Sequence, residues 1–411
     1  MKNDILEIMV AGVKAALPYG NTLDILKSLS LPQRVYVLAV GKAAVPMAQA
    51  AEDFLGDRIK KGLLVTKYFH TDGFSSPRFE IIEAGHPVSD ENSILAAQKA
   101  LEAVQSLNEN DTLIVLLSGG GSALFEKSRV SPETQRDITK KLLSRGADIR
   151  KLNAVRKRLS LVKGGGLSAA AYPARVITVA LSDVLGNDKS VIASGITVKD
   201  EETDTFVENV LDTYLPDIDE ETRKIILSKN EIKINDGGYY FAGDINILCD
   251  SAGQKAEELG YTVYHGRRDI SGEAREEAVS IIEGIPEKCG KSCFIFGGET
   301  VVTLKGDGKG GRNQESALAA AIALKSKRGI VFASLGSDGT DGPTDAAGGM
   351  CTCDTYKKML SSGICPEKEL ENNNSYYALQ KADCLIMTGA TGTNVNDIIV
   401  VLTNDDYGKE N

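Results

Sequence analysis

The chain has 411 residues, 42% of them hydrophobic and 25% charged, with a net charge of −10. That length predicts two or three domains with cores of their own, and the composition is that of a globular protein. An acidic balance without a Lys/Arg block excludes a duplex-binding face, and no apolar run reaches the ~18–20 residues that span a bilayer.

The opening stretch, "MKNDILEIMVAGVKAAL", places Asp4 and Glu7 where a signal peptide would be apolar. It predicts an amphipathic helix and a cytoplasmic protein. "VYVLAV" (35–40) predicts a strand and "GKAAVPMAQAAEDFL" the helix after it. "GLLVT" (62–66) and "FEIIEA" (79–84) predict further strands, "SILAAQKALEAVQSL" (93–107) a helix, and "TLIVLL" (112–117) a strand that runs into "SGGGSALFE". Two helices follow, "ETQRDITKKLLSRG" and "DIRKLNAVRKRLSLV", then the strand "ARVITVAL" (174–181). Near-continuous apolar strands alternating with helices predict an α/β fold with a mainly parallel sheet covered on both faces, a Rossmann-like three-layer sandwich. From about 198 to 240 the chain turns polar, and the domain boundary is expected inside 225–240, dividing it into 1–235 and 236–411. Beyond it, "NILCDSAGQKAEELG" predicts a helix, "YTVYH" a strand and "GEAREEAVSIIEGI" a helix. "CFIFGGETVVTL" predicts two short strands around "GGE", "GGRNQESALAAAIALK" a helix and "GIVFASL" a strand. The seven cysteines include a C-x-C (351, 353) and a C-x₃-C (289, 293), neither with zinc-site spacing, so reduced, inert thiols are expected.

In open α/β sheets ligands gather beyond the carboxyl ends of the strands. Four predicted strands end in unusual loops. The first runs into Gly41-Lys42, the second into Ser118-Gly119-Gly120-Gly121-Ser122, the third into Ser182-Asp183, and the fourth into "GSDGTDGPTDAAGG" (336–349). A glycine turn that opens a helix suits phosphate, although the same turn also serves close packing. Lys42 could reach a phosphate or be a solvated lysine. "KGDGKGGRNQES" (305–316) sets Arg312, Asn313 and Gln314 at a helix start, where a guanidinium can grip phosphate and free amides converge. The aspartate loop lacks EF-hand spacing, whereas Mg²⁺ commonly takes one or two carboxylates plus substrate phosphates. Asp183 could act as a base or cap a helix. "CGKS" (289–292) has Ile285 where a P-loop needs glycine, and "GGGSAL" lacks the third glycine of a dinucleotide fingerprint.

Taken in order, "LAVGKAAVPMA", "LLSGGGSAL", "LNAVRKRLSLVKGGGL", "LSDVLGNDKSVIASGITV", "GEARE", "FGGETVVTLKGDGKGGRNQE", "SLGSDGTDGPTDAAGG" and "TGATGTNVND" resemble the glycerate 2-kinase family, with its C-terminal MOFRL domain. The resemblance implies two α/β domains with the active site in the cleft between them, and transfer of phosphate from ATP to the 2-hydroxyl of D-glycerate with Mg²⁺ or another divalent cation. Leu185, Ile196 and Ala390 stand where the family has prolines, which bears on loop stiffness and substrate fit. On this resemblance Lys42 and Arg312 are expected on the phosphates, and Asp183 on the 2-hydroxyl. The loop Ser118, Gly119, Gly120, Gly121, Ser122 is expected to cradle phosphate or carboxylate, joined by His86, Gly311, Asn313 and Asn394. Asn396 lines the site or ties its loop. Asp338 and Asp341 are the candidate metal ligands, with Asp345 more suited to a cap. Small-molecule partners are expected, with no nucleic acid or membrane and a homodimer left open. Hydroxypyruvate reduction, a kinase for another hydroxy acid and a nucleotide- or acid-sensing module are the rival readings.

Overall fold

A computed structural model describes residues 1–71, 73–228 and 232–405. The chain forms two compact units.

Residues Pro18–Ser182 and Asn187–Ala242 make the first. Its sheet contains β1 (Val35–Val40), β2 (Ile59–Lys67), β3 (Phe79–Ala84), β4 (Thr112–Leu117), β5 (Arg175–Leu181) and β6 (Asn235–Gly243), in the order β3-β2-β1-β4-β5-β6. Pairings among β1 to β5 are all parallel. The reason lies in the strands' composition. β4 is buried at every residue and β1 at five of six, so neither has a face for water and both need helices on each side. This is the doubly wound order, and it reverses between β1 and β4. After β1, the helix Ala44–Leu55 buries Ala44, Ala48 and Ala51, small residues that let it lie close to the sheet.

The polar stretch after 198 is not featureless. It holds the helices Asp204–Tyr214 and Glu220–Leu227 and the edge strand β6; residues 229–231, within the expected boundary, lie outside the described residues. The two helices join Pro132–Ser144 and Ile149–Leu159 around Ile138, Leu142, Val155, Leu159, Val207, Leu211 and Ile226. Each of the four helices starts on a capping side chain, Ser131, Asp148, Thr203 or Asp219, that accepts the amide three residues on.

The second unit contains Met1–Leu17, Asp183–Gly186 and the chain from Gly243. Its mixed sheet runs β11-β10-β9-β12-β8-β7, built from β7 (Thr262–His265), β8 (Ser292–Gly298), β9 (Ile330–Gly336), β10 (Gly348–Thr352), β11 (Leu385–Ile386) and β12 (Asp397–Thr403). β7 and β8 are parallel, and the remaining pairs are antiparallel. The second strand expected around "GGE" does not form. The amides of Glu299 and Val301 donate instead to the carbonyls of Ile270 and Gly272, in isolated bridges and not in a continuous ladder. The opening helix, Lys2–Ala15, belongs to this unit. It packs on the helix Ile245–Glu258, with Gly12 so close that a Cβ there would lie 2.6 Å from the Leu248 carbonyl oxygen. Tyr261 Oη donates to Asp4 at 2.6 Å across the same contact. All seven cysteines are free, and burial pushes the thiols of Cys249 and Cys293 up to about 12.

Candidate active site

In the parallel-sheet unit the candidate residues gather where the strand order reverses. Ser118 Oγ accepts the Ala43 amide at 2.9 Å, and the Gly119 carbonyl accepts the Lys42 amide at 2.9 Å, so the loops after β1 and β4 are tied together. Gly41 permits this contact: it sits at φ +130°, and a Cβ would fall 2.2 Å from Ser118 Oγ. The amides of Gly119 to Ser122 find no acceptor among the described residues and form a small cup of donors. Gly120, at φ +89°, lies against His86 and the stem of Lys42. Burial first, and then the charges of Lys42 and Lys67, hold His86 below its usual pKa, so it is a neutral imidazole at pH 7. Lys42 itself is exposed. Ser122 Oγ lies 2.8 Å from Ser194 Oγ, a partner that the sequence did not single out. Ala193 and Ser194 both hold positive φ, +48° and +57°, a backbone strain of about 1 kcal/mol or more each that persists only where the surroundings enforce it.

In the mixed-sheet unit the centre is Arg312, first residue of the helix Arg312–Ala323. Its Nε and Nη2 donate to Asp397 at 2.5 and 2.9 Å, and its Nη1 lies 3.0 Å from Glu299 Oε1. Burial works against the Arg312 charge, but the Asp397 bonds outweigh it and raise its pKa. Asp397 is buried; burial lifts it to about 6 although Arg312 pulls the other way. Asn396 extends the group. Its amide donates to Glu299 Oε2 at 3.0 Å and to the Asp183 carbonyl at 2.8 Å, its Oδ1 is buried without a partner among the described residues, and its φ is +68°. Asp183 thus belongs with Arg312 and Asn396. Glu299 and Asp397 escaped the sequence, although a carboxylate at the mouth of the apolar run "IIVVL" was a signal for the second.

Several other candidates have partners within the same unit. Asp341 is 3% exposed, and its two carboxylate oxygens accept the amides of Asn313 and Gln314 at 3.1 and 2.8 Å. The amides expected to meet a phosphate are therefore satisfied by a helix-capping carboxylate. Burial raises the Asp341 pKa, against those amide bonds. Asn313 is buried, with its amide on Asp341 and its carbonyl oxygen accepting Ser334 Oγ at 2.6 Å. Gly311 is the close-approach residue that lets Asp341 in, since a Cβ there would come within 2.3 Å of its carboxyl carbon. Asp345 accepts Tyr376 Oη at 2.7 Å. Asn394 is half-buried, and the carboxylate of Asp338, also half-buried, accepts among the described residues only the Thr340 amide, at 2.9 Å with one oxygen. Among the described residues no three His, Cys, Asp or Glu side chains cluster as a metal site, and no helix is long and apolar enough to cross a membrane.

Residues 4–227 match the family described as Domain of unknown function (DUF4147), and residues 292–397 match the MOFRL family. D-glycerate 2-kinase of Thermotoga maritima is 44% identical, over 98% of both chains. The chain belongs to the glycerate 2-kinase family. A second member, glycerate 2-kinase of Pyrococcus horikoshii, is 37% identical over 98% of both chains. The crystal structure of the Thermotoga maritima glycerate kinase superposes with a TM-score of 0.93, covering 98% of this chain and 99% of that one. Leu185, Ile196 and Ala390 differ in setting: Leu185 is half-buried, Ile196 is fully buried and Ala390 is exposed.

Proposed function

We infer that this protein moves the γ-phosphoryl group of ATP to the 2-hydroxyl of D-glycerate, releasing ADP and 2-phosphoglycerate. The observation that carries this reading is the full-length likeness to the Thermotoga maritima D-glycerate 2-kinase, in sequence and in fold. The geometry of the candidate residues suits it. Phosphoryl transfer asks chiefly for positioning and for neutralising charge on the transferred group. Lys42 supplies a mobile point charge beside the amide cup of Gly119 to Ser122. Arg312 supplies a guanidinium held in place by Asp397 and Glu299, with only two of its five N–H donors in hydrogen bonds to Asp397. In the reaction the glycerate hydroxyl oxygen bonds to phosphorus as the bond from phosphorus to the β,γ-bridging oxygen breaks; Asp183 accepts the hydroxyl proton. His86, neutral at pH 7, offers the glycerate carboxylate a hydrogen bond, and Asn394 lies on the acceptor side.

The metal test divides the two aspartates. Asp338 keeps one carboxylate oxygen clear of hydrogen bonds and fits a cation that brings its remaining ligands from phosphates and water. Asp341 does not fit, because the helix amides occupy it. A divalent cation held at Asp338 would neutralise charge on the phosphates. In functional terms the glycerate kinase domain is 1–235 and the MOFRL-type domain 236–411.

The test is a coupled assay with ATP, Mg²⁺ and D-glycerate, containing enolase but no phosphoglycerate mutase. A signal requires 2-phosphoglycerate. ADP without a signal would move transfer to the 3-position, and no ADP would reject glycerate as acceptor. Reduction of hydroxypyruvate is disfavoured, because the first strand-to-helix turn, "GKAA", lacks the glycine fingerprint of a dinucleotide site; NADH oxidation by hydroxypyruvate should be absent.

A further inference from the structure

The parallel-sheet unit has a second feature at the carboxyl edge of its sheet. A cavity of about 750 Å³ opens between the turn after β3, the segment after β4 and the helices Pro132–Ser144 and Ile149–Leu159. That volume is in the range of small-molecule sites. Its walls join the candidate active site directly: Pro87 follows His86, and Ala123 follows Ser122.

Its lining has two characters. Val88 and Leu143 are apolar yet 68% and 58% exposed, and Leu152 behind them is buried. Arg136, Lys140 and Arg156 also line it. Arg156 is half-buried and has no hydrogen bond or ion pair among the described residues, although a guanidinium withdrawn from water ordinarily takes an acceptor. The acid in the wall, Glu126, is taken by the buried amine of Lys163 and by Ser160 Oγ at 2.7 Å, so it does not serve Arg156. The Gln135 amide, on the same wall, also makes no side-chain bond among the described residues.

We propose that this cavity holds the nucleoside end of the phosphate donor, a purine nucleoside triphosphate, with the base between Val88 and Leu143 and the phosphates running past Arg156 toward the Ser118–Ser122 loop. An apolar cleft flanked by cations, of which Arg136 is paired with Glu133 at 3.1 Å and Arg156 is not paired among the described residues, and continuous with an amide cup matches a ligand that is flat and apolar at one end and polyanionic at the other. Among the described residues no aromatic side chain lines the cavity. The guanidinium planes of Arg136 and Arg156 are the groups that can lie against a purine, and Gln135 can read its edge. Glycerate has no apolar end to fill such a space.

This placement rests on the kinase reading, so the experiment separates the two. Arg156→Gln and Leu143→Glu, the second at an exposed position, are compared with the parent by calorimetric titration with a non-hydrolysable ATP analogue and by steady-state kinetics. Thermal melts confirm folding. Each variant should weaken analogue binding and raise KM for ATP by about tenfold, Arg156→Gln through the loss of one charge-assisted contact and Leu143→Glu through a carboxylate set against the base and near the polyanion, while KM for glycerate holds within about twofold. Undiminished analogue binding in both folded variants overturns the placement, as does a rise in KM for glycerate alone. If the parent binds the analogue but does not phosphorylate glycerate, the kinase reading fails, and the binding titrations still decide the pocket.

Discussion

Asp397 is enclosed at the start of a buried strand, and Arg312 is what makes its charge tolerable. Removing one partner leaves the other worse than removing both. Arg312→Ala should therefore cost about 2 kcal/mol, a buried-pair value discounted because the arginine side chain is about one-third exposed. Arg312→Ala/Asp397→Asn should recover most of that stability and none of the turnover. Chemical denaturation beside kcat measurements checks both; a double mutant as unstable as the single one would refute the pairing. The same residue sets an expected pH dependence. With Asp397 at about 6 instead of its usual 3.8, the folded protein binds a proton there more tightly than the unfolded chain. Between those values this residue's contribution to stability rises as pH falls, while protonation removes an acceptor from Arg312. kcat/KM should drop through an apparent pKa near 6 without any matching loss of stability from this residue. Asp397→Asn should abolish that limb, which a pH–rate profile with parallel melts will show.

Gly41 and Asp341 carry the argument to the level of elements. A methyl at Gly41 would overlap Ser118 Oγ and its carbonyl, besides straining a backbone at φ +130°. Gly41→Ala should separate the loops after β1 and β4 and cut kcat/KM by at least about a hundredfold, since a misplacement of 1 Å can cost that much. Asp341→Asn would turn an amide toward the donors of the helix Arg312–Ala323 and cost about 1–3 kcal/mol. It should leave the Mg²⁺ dependence unchanged, whereas Asp338→Asn should raise the Mg²⁺ needed for half-maximal rate. Titration of activity against Mg²⁺ separates the two, and equal shifts would return the metal to both. The apolar strands and alanine-rich helices were legible in the sequence because periodicity and burial speak directly about them. β6 was not, because an edge strand with Gly237 and Gly238 and half-buried residues carries little of that signal. The glycine loops, Lys42 and Arg312 were legible as residue types suited to anions. Whether Asp341 and Asn313 face a ligand or brace a helix was not, because a carboxylate that caps a distant helix reads in sequence like one that binds a metal. Glu299 was hidden for the opposite reason: a lone acid after two glycines looks like a turn.

For the whole molecule, the nucleotide cavity and the amide cup fall within one unit, whereas Arg312, Asp183 and Asp338 fall within the other. Hydrogen exchange with ATP alone should show protection concentrated in the parallel-sheet unit, at 85–90, 118–130 and 132–159. Protection confined to the mixed-sheet unit would contradict the assignment of the donor.

The placement of the first helix has a consequence for biosynthesis. Lys2–Ala15 leaves the ribosome well before the chain it packs on, for Ile5, Ile8 and Met9 are buried in the unit whose remaining chain begins mainly at Gly243. At ordinary elongation rates that is a delay of roughly 10 to 45 s. The intervening chain can meanwhile collapse around its own parallel strands. The nascent protein therefore carries an unsheltered amphipathic segment while the parallel-sheet unit is being made, and that segment is where a cotranslational chaperone would have most to protect.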